Sequence, residues 1–378
     1  MTRHYTKFPL ALGRGNRYHI GMFGLKQNEG EARERLRAFW RGESLGGRPA
    51  LLATARNPAF TPEPWRGPAL TRKQQDFDPE WQAWSQCKGM RSRTYFAEAM
   101  PYTLLEIGGL LTILATLAGG DYEYEGSAWI LPWKDVLDKP VPEFDPDCGT
   151  VRQMEECFRR LAEADGGDGV ITPPVYLDAL TTLSMFLNQD GLALALMDRP
   201  DDVKRWTRDA TSLLVACNKH FTRFLGGLGH SGGTTWLGLY SEGGTEAVQC
   251  DFSVMLSPEM FDEFVMPDTR RFSACYGDAI WHLDGVAQMR FIEQIASLPN
   301  MRAIQWTHIG HGKDPIADMP HFKRIRELGL SLLVLDPGSV DNAVRIAREL
   351  GPDGLAMRLP PFEREEDALA AIERITVR

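Results

Sequence analysis

The chain has 378 residues, of which 43% are hydrophobic and 25% charged, and its formal net charge is −9. These values exclude a mainly disordered or fibrous chain and predict one large α/β unit or two domains. Lys and Arg are scattered among more numerous Asp and Glu, which argues against nucleic-acid binding, because phosphate recognition needs concentrated cationic side chains.

The sequence predicts a cytoplasmic protein without membrane association. Its six cysteines include no CxxC pair, which is typical of reduced thiols in a chain of this length. The N-terminus lacks the apolar core of a secretory signal. The longest apolar stretch, 110–118, is far shorter than the ~20 residues that cross a bilayer.

The first part of the chain predicts an irregular polar arm over 1–27, followed by a helix that begins at Asn28. A Pro- and Trp-rich excursion over 56–94 separates this region from the rest. The expected strands before residue 200 are 49–55, 127–131 and 169–176, and the expected helices are 150–165 and one on each side of Pro200.

Strands and helices alternate more clearly in the last third of the chain. The expected strands are 234–240, 279–285, 301–310, 330–338 and 352–360, and the expected helices are 257–277, 287–300, 319–329, 339–351 and 364–375. Because these strands are apolar runs rather than alternating patterns, they indicate a parallel sheet buried on both faces. No GxGxxG follows the first strand, so the pattern favours a (β/α)8 TIM barrel over 28–378, with 1–27 as an N-terminal extension.

Active sites of such barrels lie at the carboxyl ends of the strands. The polar side chains expected there are Tyr240, Cys250, Asp251, His282, Asp284, Trp306, His308 and Arg358. We expect Tyr240, Trp306, His308 and Arg358 to bind substrate. His311, three residues after His308, is expected to be solvated.

The triplet His282-Leu283-Asp284 is the most informative motif, because residues i and i+2 of a strand lie on the same side. His282 and Asp284 could therefore bind one metal ion, or act with Asp251 as catalytic proton-transfer groups. The alternative is a buried histidine that its neighbour only orients. A metal site needs a third ligand, for which Cys250 and Asp251 are the first candidates and Glu242 and His308 the next.

Four segments, SPEMFDEFVMP, IWHLDG, MRAIQWTHIGHGKDP and GPDGLAMRL, resemble the uroporphyrinogen decarboxylase superfamily. The resemblance extends over roughly 28–376 and is best from 234 onward. It implies a (β/α)8 barrel and one of two activities. One is decarboxylation of uroporphyrinogen, and the other is zinc-dependent methyl transfer from a methylated corrinoid protein to a thiol or to tetrahydrofolate.

The chain departs from both branches of that superfamily. The decarboxylases carry RQAGRY after the first strand, whereas this chain has ATARNPAF, with Arg56 as its arginine. The methyltransferases carry HxC and a distal cysteine, whereas Asp284 replaces the first cysteine and none follows Cys275. Oxygen ligands would make a bound ion a harder Lewis acid, which argues against thiol alkylation and favours an oxygen-bearing substrate or a metal-free site.

The resemblance therefore implies a methyltransferase-like enzyme that acts on a small molecule, with zinc as a cofactor and a corrinoid carried by a partner protein. One alternative is a decarboxylase or other carbon–carbon lyase, with Arg358 or Arg56 binding a small carboxylate. Another is a barrel that binds a corrinoid or tetrapyrrole without turnover. The sequence leaves these functions open, and it leaves open assembly as a homodimer.

Overall fold

The computed structural model of the chain describes residues 23–108, 112–308 and 314–376. Its strands are β1 Ala50–Arg56, β2 Arg93–Ala97, β3 Tyr102–Leu104, β4 Tyr122–Glu125, β5 Ser127–Ile130, β6 Val170–Thr172, β7 Ala247–Val248, β8 Ala279–Asp284, β9 Met301–Thr307, β10 Ser331–Val334 and β11 Leu355–Arg358. Most of the predicted arm and His311 lie outside the described residues.

Helices flank these strands along the chain. They are α1 Glu29–Trp40, α2 Arg72–Asp76, α3 Pro79–Arg91, α4 Ile113–Leu117, α5 Gly149–Asp165, α6 Ala179–Leu187, α7 Gln189–Asp198, α8 Pro200–Gly227, α9 Pro258–Phe264, α10 Met266–Ser273, α11 Ile292–Ala296, α12 Met319–Glu327, α13 Val340–Leu350 and α14 Glu365–Thr376. None of the helices in the described part of the chain combines the length and the apolar character that crossing a bilayer requires.

The central sheet has seven strands in the order β2-β1-β11-β10-β9-β8-β7. All neighbours are parallel except β2, which pairs antiparallel with β1. β3 and β6 form a separate parallel pair, and β4 and β5 form a separate antiparallel pair. The expected parallel α/β sheet is therefore present. The hydrogen-bonded sheet of the described residues is not closed, because it ends at β2 and β7.

The predicted strand at 234–240 is wrong: this segment forms no strand, so it does not extend the sheet beyond β7. The Thr235 carbonyl accepts the backbone N–H of Gly238 at 2.9 Å, and its hydroxyl accepts that of Leu237 at 3.0 Å. These bonds make a turn, which Gly238 accommodates with a φ of +80°. The apolar run that suggested a strand instead supplies buried side chains, and the actual strand β7 has only two residues.

The two faces of the sheet bury different sets of side chains. Leu51, Trp281 and Ile304 belong to the large cluster packed against the helices. Leu52, Ile280 and Ala303, their neighbours along the strands, belong to a second cluster on the other face. That inner cluster is composed of residues from β1, β6, β7, β8, β9, β10 and β11 together with α1 and the 99–100 and 237–240 segments. The open sheet and the β3–β6 pair therefore share one inner core.

A buried ion pair fixes the start of β1 against the end of β2. The Glu98 carboxylate is fully buried and accepts two hydrogen bonds from the Arg48 guanidinium, at 2.6 and 2.7 Å. It also accepts the backbone N–H of Leu51 at 2.8 Å. Because the carboxylate satisfies both the cation and a buried backbone donor, its loss would leave both without this acceptor.

We expect Glu98→Ala to lower the free energy of unfolding by about 3–5 kcal/mol, because it leaves one partner of a buried ion pair uncompensated. Urea titration followed by circular dichroism measures this change. Glu43→Ala is the matched control, since Glu43 pairs with Arg41 at an exposed site and should contribute little. Equal effects of the two substitutions would contradict the structural role of Glu98.

Candidate functional site

Three side chains converge at the carboxyl ends of β7 and β8. Asp251, His282 and Asp284 each offer one ligand atom within 4.8 Å of the others. His282 and Asp284 lie on the inner face of β8, whereas Trp281 and Leu283, the residues on either side of His282, pack towards the helices. Asp251 begins the 3-10 turn that follows β7. We call these three residues the His/Asp triad.

Gln305 orients the imidazole of His282. β8 and β9 pair in a register that sets His282 opposite Gln305 and Asp284 opposite Thr307. The Gln305 side-chain amide donates to the Thr307 hydroxyl at 2.8 Å, so its carbonyl oxygen faces Nδ1 of His282 and hydrogen-bonds there. That oxygen can only accept, which assigns the proton to Nδ1 and leaves Nε2 as the free ligand or base.

Asp251 carries a buried oxygen without a partner. Its Oδ1 accepts no hydrogen bond from any described residue, whereas its backbone N–H donates to the Thr181 hydroxyl at 3.0 Å. Burial raises the pKa of Asp251, nearby His282 lowers it, and the Asp284 carboxylate raises it. A buried carboxylate beside a second one needs a proton or a cation.

Gln288 joins the two segments that carry the triad. Gly285 adopts a φ of +86°, so the chain turns directly after Asp284 and returns Gln288 to the end of β8. The Gln288 carbonyl oxygen accepts from the Trp281 indole and from the backbone N–H of Asp284, both at 3.2 Å. Its amide donates to the Cys250 carbonyl at 3.2 Å, which fixes the position of the residue before Asp251.

Cys250 lies apart from the triad, in contrast to its expected role as a metal ligand. Cys250 has an extended backbone, so its side chain points away from the side on which Asp251 lies. The Cys250 thiol is fully buried, 4.0 Å from the Thr181 hydroxyl, and burial raises its pKa well above the usual range. These surroundings are those of an inert core thiol.

Tyr240 lies at the opposite end of the sheet from the triad. Its hydroxyl accepts a hydrogen bond from Arg33 at 2.6 Å. The next residue, Ser241, donates to Asp278 at 2.6 Å, and Asp278 directly precedes β8. The position expected for Tyr240 followed from a strand ending at residue 240. Since β7 begins only at Ala247, Tyr240 and Glu242 lie before the start of β7 and not at the carboxyl end of a strand.

Trp306 and His308 lie on the helix-facing side of β9. The Trp306 indole is 2% exposed, stacks on His321 and donates to the Asp318 carboxylate at 2.9 Å. Nδ1 of His308 lies 2.5 Å from the same carboxylate oxygen. Trp306 was expected in the pocket, but the alternation of side chains along β9 directs Gln305 and Thr307 inwards and Trp306 outwards.

Arg358, at the end of β11, lies in a cleft of about 510 Å³. It donates to the Trp236 carbonyl at 3.3 Å, and burial lowers its pKa. The Trp236 ring lies edge-on to the imidazole of His282, with 5.2 Å between ring centroids. Trp236 therefore lines the cleft and also contacts the triad, and we refer to the cleft as the Arg358 cleft.

The roles of Gln305, Gln288 and Thr181 were not predicted from the sequence. Gln305 was detectable in principle, because it is a polar residue within an apolar strand that neighbours the His282 strand. Gln288 and Thr181 gave no such signal, since both are polar residues in helical segments whose contacts depend on tertiary packing.

Comparison with solved structures identifies a similar fold. A methyltransferase from Methanosarcina mazei superposes with a TM-score of 0.59, over 92% of this chain and 99% of that chain, at 16% sequence identity. At this identity the similarity shows a shared fold. At the level of sequence, no family model and no curated protein matches the chain.

We expect Gln305→Leu to remove the preference of the His282 imidazole for one tautomer. Nitrogen-detected NMR of the imidazole should show a single form with the proton on Nδ1 in the wild type, and a mixture of tautomers in the variant, because leucine accepts no hydrogen bond. Thermal unfolding of both proteins checks that the fold is retained. A wild-type imidazole protonated on Nε2 would contradict the assignment.

Proposed function

We propose that the protein is a metal-dependent methyltransferase-like enzyme of the uroporphyrinogen decarboxylase superfamily, with the His/Asp triad as its catalytic site. The observation that carries the proposal is the convergence of Asp251, His282 and Asp284 within 4.8 Å. The fold shared with a methyltransferase and the sequence motifs around His282 support the reaction class. Function does not follow from fold alone, so the triad is the part that experiment must test.

The residues present fit a divalent cation. The unpartnered Oδ1 of Asp251 is an oxygen in need of a cation or donor. His282 offers Nε2, since Gln305 occupies its Nδ1. One imidazole and two carboxylates form a complete set of three protein ligands for a catalytic ion. When bound, the ion supplies Lewis-acid activation of the substrate.

The chemistry of these ligands favours an oxygen-bearing methyl acceptor or donor. Carboxylates in place of thiolates leave a bound ion harder, and hard ions prefer oxygen ligands. Gln305 and Gln288 hold His282 and Asp284 in fixed positions, so the site is preorganised. The methyl group would come from or go to a corrinoid on a partner protein, as the sequence resemblance implies.

We also propose that the strands form a (β/α)8-like barrel. The inner cluster shared by the open sheet and by Val170 of the β3–β6 pair supports this arrangement. The triad would then lie at the carboxyl-terminal mouth, where barrel enzymes place catalysis.

Methyl transfer from free methylcobalamin tests the function. Protein loaded with zinc, cobalt or manganese should convert methylcobalamin to cob(I)alamin, seen by absorbance, and methylate hydroxyl- or carboxylate-bearing acceptors. Asp251→Asn and Asp284→Asn should each reduce the rate and weaken metal binding by at least about tenfold, because each removes a charged ligand. Glu242→Gln, at the other end of the sheet, is the matched control and should leave both unchanged.

Two results would contradict this function. Methylation of thiols alone would oppose the oxygen-bearing substrate. Absence of methyl transfer in metal-loaded protein, with release of carbon dioxide from a small carboxylate, would favour the lyase alternative.

A further inference from the structure

The Arg358 cleft is lined by apolar side chains and by polar ones, which include Thr54, Gln86 and Glu106. It opens beside the ends of β1 and β11, with aromatic and aliphatic side chains around it: Tyr95, Tyr102, Trp236, Met90, Met100 and Leu359. A volume of about 510 Å³ is within the range of small-molecule sites in proteins. These aromatic and aliphatic side chains favour a ligand with an apolar body.

Arg358 is a half-buried cation in this cleft without a carboxylate partner. In the described part of the chain no Asp or Glu lies within ion-pair distance of its guanidinium, which reaches only the Trp236 carbonyl. By contrast, Arg48 and Arg91 pair with Glu98 and Asp168. Burial lowers the pKa of Arg358, and the charge of Arg93 also lowers it, whereas Tyr102 and the Asp336 carboxylate raise it. A guanidinium in these surroundings has most of its donors available to an anion.

Trp236 connects the cleft to the triad. Its carbonyl accepts from Arg358 and from the Tyr102 hydroxyl, each at 3.3 Å, so its backbone is held at the wall of the cleft. The ring of the same residue touches the imidazole of His282. A ligand bound at Arg358 would therefore lie next to Trp236, the residue whose ring contacts His282 of the triad.

We propose that the Arg358 cleft binds an organic carboxylate with an apolar or aromatic body, which is the small-molecule substrate of the triad. The proposal rests on the proposed function for the role of this ligand, and on the cleft alone for its binding. The planar fork of one arginine matches a carboxylate, whereas phosphate sites usually combine several cationic and backbone donors, and Arg93, the other cation of the lining, is exposed. The carboxylate of Glu106 at the rim also disfavours a multiply charged anion.

Direct binding tests the proposal without reference to activity. The probes are 3-phenylpropanoate and its neutral amide, 3-phenylpropanamide, measured by isothermal titration calorimetry on the full-length protein. We expect the carboxylate to bind with a dissociation constant of about 1 mM or lower and the amide to bind at least about tenfold more weakly. Arg358→Gln should remove this preference, Arg358→Lys should restore part of it, and Arg56→Gln, outside the cleft, should leave it unchanged.

The outcomes separate this proposal from the proposed function. Asp251→Asn with Asp284→Asn should abolish metal binding but retain the preference for carboxylate, so a failure of methyl transfer leaves the cleft assignment intact. Equal binding of acid and amide to the wild type, no binding of the acid, or undiminished preference in Arg358→Gln would each overturn the proposal. Thermal unfolding of each variant confirms that it is folded.

Discussion

The parallel pairing of β8 with β9 is the constraint on which the site depends. Its register sets His282 opposite Gln305 and Asp284 opposite Thr307, so polar side chains from two strands meet on the inner face. Along each strand the intervening residues, such as Leu283 and Trp306, pack against helices. A slip of one residue in either strand would exchange these faces and separate the imidazole from the amide that orients it.

Charge is the second constraint, because the triad concentrates two carboxylates in a partly buried position. At the 4.8 Å limit that encloses the three ligand atoms, two like charges repel by about 3–4 kcal/mol for an effective dielectric constant near 20. Gln288 and Thr181 nevertheless hold the backbone of Asp284 and Asp251 in place. A cation bound between the two carboxylates would remove this repulsion.

The sequence predicted the parts of the fold that depend on local patterns. The strands in the last third of the chain are apolar runs bounded by Gly and Pro, and β8 to β11 lie where those runs predicted them. The inner position of His282 and Asp284 followed from the period of a strand. The segment 234–240 was misassigned because its apolar side chains are buried without strand pairing. Whether the sheet closes depends on long-range pairing, which periodicity does not encode.

The composition of the site was harder to predict than its location. Asp251 and Cys250 are adjacent, and the extended backbone at Cys250 decides which of them joins the triad. Tyr240 was assigned to the wrong end of the sheet because its strand was misassigned. Gln305 and Gln288 act through contacts across strands and turns, so their roles became apparent only with the tertiary structure.

We have proposed that Asp251, His282 and Asp284 bind one divalent cation. An anomalous-scattering map of crystals grown with manganese or zinc, collected on both sides of the metal absorption edge, tests it most directly. We expect one strong peak bonded to Nε2 of His282 and to an oxygen of each aspartate, at roughly 2.0–2.2 Å for zinc. A peak bonded to Nδ1 or to Cys250, or no peak between the three side chains in metal-saturated crystals, would contradict it.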